Sequence, residues 1–227
     1  MRPTILLTRP EDGAERFVQQ LRDRFGDIPV VFSPLLRIEP TGPQPDLTPY
    51  RGVIVTSANG VPNGAIGVAC HVVGQATAQA ARAAGLDVQT IEADAQALIR
   101  RILADRVAGP LLHLRGEHAR GDIALTLTAA GIQTDEAVVY AQKECPLTPE
   151  AQAVLHGKSP VLVPLFSPRT ARIFAAQRPQ APLLIAAMSP AVVQALGDMP
   201  VKLLEIAATP DANAMLDATQ RLIDALA

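Results

Sequence analysis

The sequence predicts an α/β protein with parallel sheets, and three observations predict it. Short apolar runs rich in β-branched residues alternate with Ala-rich stretches of helical spacing, the pattern of βαβ units. Glycines stand where the helices should stop, at Gly26, Gly85, Gly131 and Gly197, as left-handed residues just past a helix end. The strand-like runs number about ten, too many for one sheet of ordinary size, so two sheets are expected.

Each element has its own justification. "TILLT" (4–8) is a buried-strand run, and "AERFVQQLRDRF" (14–25) repeats apolar residues at helical spacing. "PVVFSPLLRI" (29–38) returns to strand. "GVIVTS" (52–57) follows a proline-rich link, and "CHVVG" (70–74) leads into the helix "TAQAARAAG" (77–85). "DVQTI" (87–91) precedes the helix "AQALIRRILAD" (95–105), and "PLLHLRG" (110–116) precedes "DIALTLTAAG" (122–131). The strand "EAVVYAQK" (136–143) closes the middle of the chain. Beyond it come "VLVPLF" (161–166), a helix from Arg169, "PLLIAAM" (182–188), "AVVQALG" (191–197), "KLLEIA" (202–207) and the terminal helix "ANAMLDATQRLIDALA" (212–227).

Two links divide the chain. "EPTGPQPDLTPY" (39–50) carries four prolines and a glycine and must be extended. "ECPLTPE" (144–150) has the same character about a hundred residues later. Two crossing points predict a discontinuous domain, 1–36 plus 144–227, around an inserted middle domain, 40–137, with linkers near 36–40 and 138–144. The chain also echoes itself. "VIVTSANG" and "VLVPLFSPRT" both end an apolar strand on serine, and Arg9 and Arg115 both follow one directly. Duplication explains this, and so does convergence of βα turns.

Composition limits the function. Of 227 residues, 48 % are apolar and 19 % charged, a globular balance. The net charge of −2 argues against a general nucleic-acid binder, although a local site can still be positive. Two distant cysteines, Cys70 and Cys145, suit a reducing cytosol. The N-terminal apolar run is too short for a secretory core and no later run reaches membrane-spanning length, so a soluble cytoplasmic protein is expected.

In a parallel α/β sheet, ligands bind at the carboxyl ends of the strands, where helix starts offer unpaired N–H groups to carboxylate or phosphate. Thr8 and Arg9, Ser57, Ala58 and Asn59, Gly74 and Thr77, Arg115, Ser167, Arg169 and Thr170, and Ser189 all fall there. Singly, each hydroxyl reads equally as a helix cap worth about 1 kcal/mol. Together, with two arginines at matching turns, they form a candidate site for a ligand bearing several negative charges.

Familiar catalytic patterns are absent. No G-x-G-x-x-G follows a strand, and there is no Walker A lysine motif or G-x-S-x-G. His71, His113, His118 and His156 lack metal-ligand spacing, so no metal is expected. His113 reads as a satisfied strand residue. With aromatics at 3 % and no hydroxyl-rich phosphate loop after the first strand, an FMN carrier is poorly supported. Tyr140 ends "EAVVY" and reads either as a packed strand-end tyrosine or as a phenol placed to donate a proton.

"LLTRP", "VFSPLLRIEP", "VIVTSANG", "HVVGQATAQAARAAG", "LLHLRGEHARGDI", "VVYAQ", "FSPRTARIF" and "MSPAVVQALG", in this order, resemble uroporphyrinogen-III synthase. The resemblance implies two flavodoxin-like domains with parallel sheets joined by a two-stranded linker, and no cofactor; a monomer is expected because one chain can form the whole cleft. It implies cyclisation of hydroxymethylbilane, a linear tetrapyrrole with eight carboxylates that the preceding enzyme hands over. The product, uroporphyrinogen III, forms with loss of water and inversion of the last pyrrole ring. Tyr140 matches the family's tyrosine thought to assist hydroxide departure, and the strand-end turns match its substrate contacts. Two departures stand out. "MSPAVV" leaves Ser189 as the one hydroxyl where relatives carry a threonine-rich turn, and "GVPNGAIGVAC" after Asn59 is short and broken by Pro62, Gly64 and Gly67. A non-catalytic binding or sensor protein for an anionic tetrapyrrole is the alternative expectation.

Overall fold

A computed structural model describes residues 3–118 and 121–226, with the side chains of residues 11–13 left out of the description. The chain opens with β1 (Thr4–Leu7), α1 (Glu11–Phe25), β2 (Val30–Phe32), β3 (Leu36–Pro40), β4 (Gly52–Val55) and a 3-10 turn at Ala58–Gly60. It continues with β5 (Ala69–Val73), α2 (Gln75–Ala83), β6 (Asp87–Glu92), α3 (Ala95–Ala104), β7 (Leu111–Gly116), α4 (Ile123–Ala129) and β8 (Thr134–Glu144). The last part holds α5 (Pro149–Leu155), β9 (Val161–Leu165), α6 (Pro168–Ala176), β10 (Leu183–Ala187), α7 (Pro190–Gln194), β11 (Leu203–Ile206) and α8 (Ala212–Asp224). Contacts divide the chain into two units, Met1–Arg37 with Lys143–Ala227, and Ile38–Gln142, so the boundaries fall inside β3 and β8.

The first unit holds a parallel five-stranded sheet in the order β11-β10-β9-β1-β2. In the unit's own numbering this is 5-4-3-1-2, the flavodoxin arrangement. Its central strands are apolar throughout because helices cover both faces. Leu6, Val163 and Ile185 pack toward Ala151, Leu155, Phe174 and Val192, on α5, α6 and α7. Ile5, Leu7, Leu162 and Leu184 pack toward Phe17 and Leu21 of α1 and Met215 and Leu222 of α8. Each such side chain contributes roughly 1.5–3 kcal/mol on burial.

The second unit builds a six-stranded sheet, β3-β8-β7-β4-β5-β6. Thr41 N–H donates to the Val139 carbonyl and Cys145 N–H to the Leu35 carbonyl, so the chain runs antiparallel across β3 and β8. The other five strands are parallel. Val53, Val55, Leu112 and Leu114 face α2, while Ile54, Leu111, Ile99, Ile102 and Leu127 fill the side of α3 and α4.

Matching β4-β5-β6 to β9-β10-β11, and β7-β8 to β1-β2, makes both five-stranded parallel arrays read in one spatial order. The echo in the sequence is therefore one architecture written twice, with the chain order permuted.

Local chemistry moved several boundaries. The run 29–38 breaks into β2 and β3 at Ser33–Pro34, because proline lacks an N–H and Ser33 Oγ accepts from Thr148 N–H at 2.9 Å. The helix expected from Arg169 begins at Pro168, whose fixed φ suits a first turn. The helix α5, capped by Thr148 Oγ1 accepting from Ala151 N–H, has no counterpart among the runs above. Gly26, Gly85, Gly131 and Gly197 all have positive φ, between 59° and 93°. Among the described residues no helix is long and apolar enough to cross a membrane.

Candidate active site

In the first unit the candidate residues gather at the ends of three adjacent strands: Thr8 and Arg9 after β1, Ser167 to Thr170 after β9, and Ser189 after β10. Val161 lies opposite Thr4 and Leu162 opposite Ile5, and the same register carried forward sets Phe166 beside Arg9. There the Arg9 guanidinium lies 4.3 Å from the centre of the Phe166 ring, which meets Phe17 edge-on at 5.0 Å. Burial, reinforced by repulsion from Arg16, pushes the Arg9 pKa down. Among the described residues Arg9 has no carboxylate partner. Thr8, only 1 % exposed, has a buried Oγ1 with no hydrogen bond among the described residues. A half-buried cation and, one residue before it, a hydroxyl without a partner among the described residues are each a place for an anion.

Ser167 Oγ caps α6, accepting from Thr170 N–H at 3.1 Å and lying 2.9 Å from Thr170 Oγ1. Arg169 stands in the first turn of that helix, half-buried. Ser189 occupies the cap position of α7 without a side-chain cap bond, so its hydroxyl is not committed to the helix.

In the second unit the equivalent strand ends carry Arg115 on β7, Ser57 after β4 and Gly74 after β5. The pairing of Val55 with Leu114 and with Val72, carried forward, sets Arg115 opposite Thr56 and Gly74 opposite Ser57. By the same step Ser189 lies opposite Ser167. The positions therefore match in pairs across the two sheets: Arg9 with Arg115, Ser167 with Ser57, Ser189 with Gly74. Ser57 Oγ accepts from Asn59 N–H at 3.4 Å, and Ala58 and Asn59 sit in the 3-10 turn. Gly74 has φ 82° at the start of α2, and Thr77 is buried in that helix's first turn.

Two strand ends differ from the expected helix starts. Ser57 opens only a 3-10 turn, since Pro62 and two glycines follow at once. Arg115 lies inside β7, and α4 begins only at Ile123; Ala119 and Arg120 of "GEHAR" lie outside the described residues.

The two arginines also differ electrostatically. Arg115 Nε donates to Glu136 Oε2 at 2.8 Å and its Nη1 to the Gly116 carbonyl at 3.1 Å. Glu136 Oε1 lies 3.4 Å from Nδ1 of His113, whose Nε2 is buried without a partner among the described residues. Burial pushes the His113 pKa down against the opposite pull of Glu136, which keeps the ring neutral near pH 7. Arg115 is thus paired with a carboxylate, whereas Arg9 has no such partner among the described residues.

Tyr140 lies on β8. The register shifts from Arg115↔Val138 to Gly116↔Tyr140, so Val139 is an extra residue that re-aims the strand. Glu136, Phe166 and Arg16 escaped the sequence reading. Glu136 alone carried a signal, being the acid that opens the run "EAVVY" (136–140).

Cys70 is buried and its thiol is pushed up to about 12, which makes it inert. Among the described residues no cluster of His, Cys, Asp and Glu is arranged to hold a metal ion. A cavity of about 530 Å³ lined by Arg51, His71, Thr90 and Asp105 includes none of the candidate residues.

Comparison with known proteins gives a consistent result. The family model for uroporphyrinogen-III synthase HemD matches residues 15–217. A uroporphyrinogen-III synthetase structure from Helicobacter pylori superposes with a TM-score of 0.68 at 17 % identity, covering 98 % of this chain and 100 % of that one. A mutant uroporphyrinogen III synthase structure from Thermus thermophilus gives 0.51 at 13 % identity, covering 98 % and 99 %. At these identities the superpositions speak for the fold. A search of curated proteins finds no match.

Proposed function

The chain belongs to the uroporphyrinogen-III synthase family, and we propose that the strand-end residues of its two sheets hold the carboxylates of hydroxymethylbilane while it cyclises to uroporphyrinogen III. The observation that carries this reading is Arg9, a half-buried cation lacking a carboxylate partner among the described residues, preceded in the chain by Thr8, whose hydroxyl has no hydrogen bond among them. Both gain from a carboxylate oxygen.

The chemistry needs positioning more than an activated nucleophile. The pyrrole nitrogen pushes out the hydroxymethyl oxygen, which leaves as water once protonated, and an electrophilic azafulvene remains. The far ring attacks through its substituted carbon, giving a spiro intermediate that fragments and recloses with that ring inverted. Tyr140 donates a hydrogen bond or proton to the departing oxygen. Ser57, Ala58, Asn59, Gly74, Thr77 and Arg115, and likewise Thr8, Arg9, Ser167, Arg169, Thr170 and Ser189, bind acetate and propionate groups, and such positioning favours the inverted closure.

The reading makes the enzyme a hydro-lyase acting as a monomer, since each set of turns comes from one chain. Two free cysteines support a reducing, cytoplasmic setting. Spontaneous closure to the I isomer favours direct handover from the preceding enzyme. The test supplies enzymatically generated hydroxymethylbilane to the purified protein, then oxidises and separates the uroporphyrin isomers. Excess III isomer establishes the synthase. The I isomer alone, from folded protein, leaves a tetrapyrrole-binding protein instead.

A further inference from the structure

Gly116 closes β7, is buried, and has no positive φ, so its backbone does not require glycine. What it lacks is a side chain, and that space is occupied. A Cβ built there would stand 2.6 Å from Cζ, 2.7 Å from Cε2 and 2.9 Å from Oη of Tyr140. Ordinary carbon contacts lie at about 3.5–4.0 Å. Gly52, Gly60 and Gly109 also sit close to neighbours, but at 3.0 Å and against backbone carbonyls. Among the described glycines, Gly116 alone would bring a Cβ below 3.0 Å, and the atoms it would meet are the reactive end of a phenol.

We propose that Gly116 is a positioning residue for Tyr140, its missing Cβ being the space in which the hydroxyl-bearing edge of the ring rests. The inference builds on the reading of Tyr140 as the group that assists hydroxide departure. Two backbone features fix the arrangement. The extra residue Val139 brings Tyr140 opposite Gly116, and Glu117 N–H donates to the Tyr140 carbonyl at 2.9 Å. The strand cannot easily yield, so an added methyl group must move the ring. Its hydroxyl then leaves the place where the substrate oxygen departs.

The test is Gly116→Ala, alone and combined with Tyr140→Phe, read by isomer-resolved turnover. Gly116→Ala is expected to lower kcat about tenfold or more while KM moves less than about twofold, since misplacing a catalytic group acts on the transition state. Added to Tyr140→Phe, it should change kcat by less than about twofold, because the hydroxyl it displaces is already gone.

A second readout does not depend on activity. The chain has no tryptophan and two tyrosines, so in a Tyr50→Phe background Tyr140 is the sole fluorescent side chain of that class. Acrylamide quenching of its emission should change in Gly116→Ala. Unchanged quenching in a folded variant overturns the proposal, as does a full loss added on top of Tyr140→Phe. If Tyr140→Phe turns over like wild type, the catalytic premise fails and the positioning role with it; altered quenching in Gly116→Ala then locates the error in the premise. Should Gly116→Ala not fold, Gly116→Ala/Tyr140→Ala must, because its Cβ then meets no ring; misfolding of both overturns the proposal.

Discussion

Thr8→Val should make the protein more stable and a worse enzyme. Thr8 is 1 % exposed at the end of β1, and its Oγ1 is buried without a hydrogen bond among the described residues. A buried polar group left unpaired costs roughly 1–3 kcal/mol. Valine keeps the branched shape and removes the hydroxyl, so the free protein should gain about 1 kcal/mol, or roughly 2–4 °C in Tm for a chain of this size. With substrate bound the sign reverses. A hydrogen bond to a carboxylate is worth about 1.5–3 kcal/mol, so KM should rise roughly ten- to hundredfold. Thermal unfolding of the free protein and steady-state turnover on hydroxymethylbilane measure the two halves separately. A Tm that falls by several degrees would show that Oγ1 already has a partner in the free protein. An unchanged KM would remove Thr8 from the substrate site.

Arg9→Ala should raise KM by roughly the same ten- to hundredfold, the value of one charge-assisted bond, and flatten its salt dependence. Arg115→Ala should cost less in KM, because Glu136 already neutralises part of that cation; parallel titrations of KM against salt compare them, and an equal loss would contradict the electrostatic difference. Ser167→Ala should lose about 1 kcal/mol of stability as a cap and also raise KM, whereas Asp211→Ala, which removes the α8 cap accepting from Ala214 N–H, should affect stability alone; urea midpoints and KM together separate the roles. His71 and His113 have pKa values pushed below their ordinary 6.5, chiefly by burial. The unfolded chain then binds more protons, so their contribution is fully present above about pH 6.5 and is lost as pH falls toward the folded values. Stability followed from pH 7.5 to 5 should drop, and a His71→Leu/His113→Leu variant should lose much of that slope; an identical slope would assign it elsewhere.

The fold was legible wherever the pattern is local. A buried parallel strand must be apolar on both faces and a surface helix on one, so "VLVPL" and "AERFVQQLRDRF" announced themselves. The break at Ser33–Pro34 was harder to see, because the residues on either side are equally apolar and, besides the missing proline N–H, its cause is a hydrogen bond from Thr148, 115 positions away. The helix α5 was hidden by the prolines around it, which mark a link and a helix start alike.

The site divides in the same way. Serine after an apolar strand and arginine at a strand end are features of a few consecutive residues, so the sequence alone determined that Arg9, Arg115, Ser57 and Ser167 are strand-end residues of an α/β protein. Their difference in partners was decided by tertiary structure. Arg115 meets Glu136 because parallel pairing of β7 and β8 sets His113 opposite Glu136, and Arg9 meets Phe166 because β1 pairs with β9. Neither partner is near in sequence, and strand register, set by burial on both faces of the sheet, brings them together. The same holds for Gly116, whose lack of a side chain gains a reason only when β8 places Tyr140 in the space that side chain would fill.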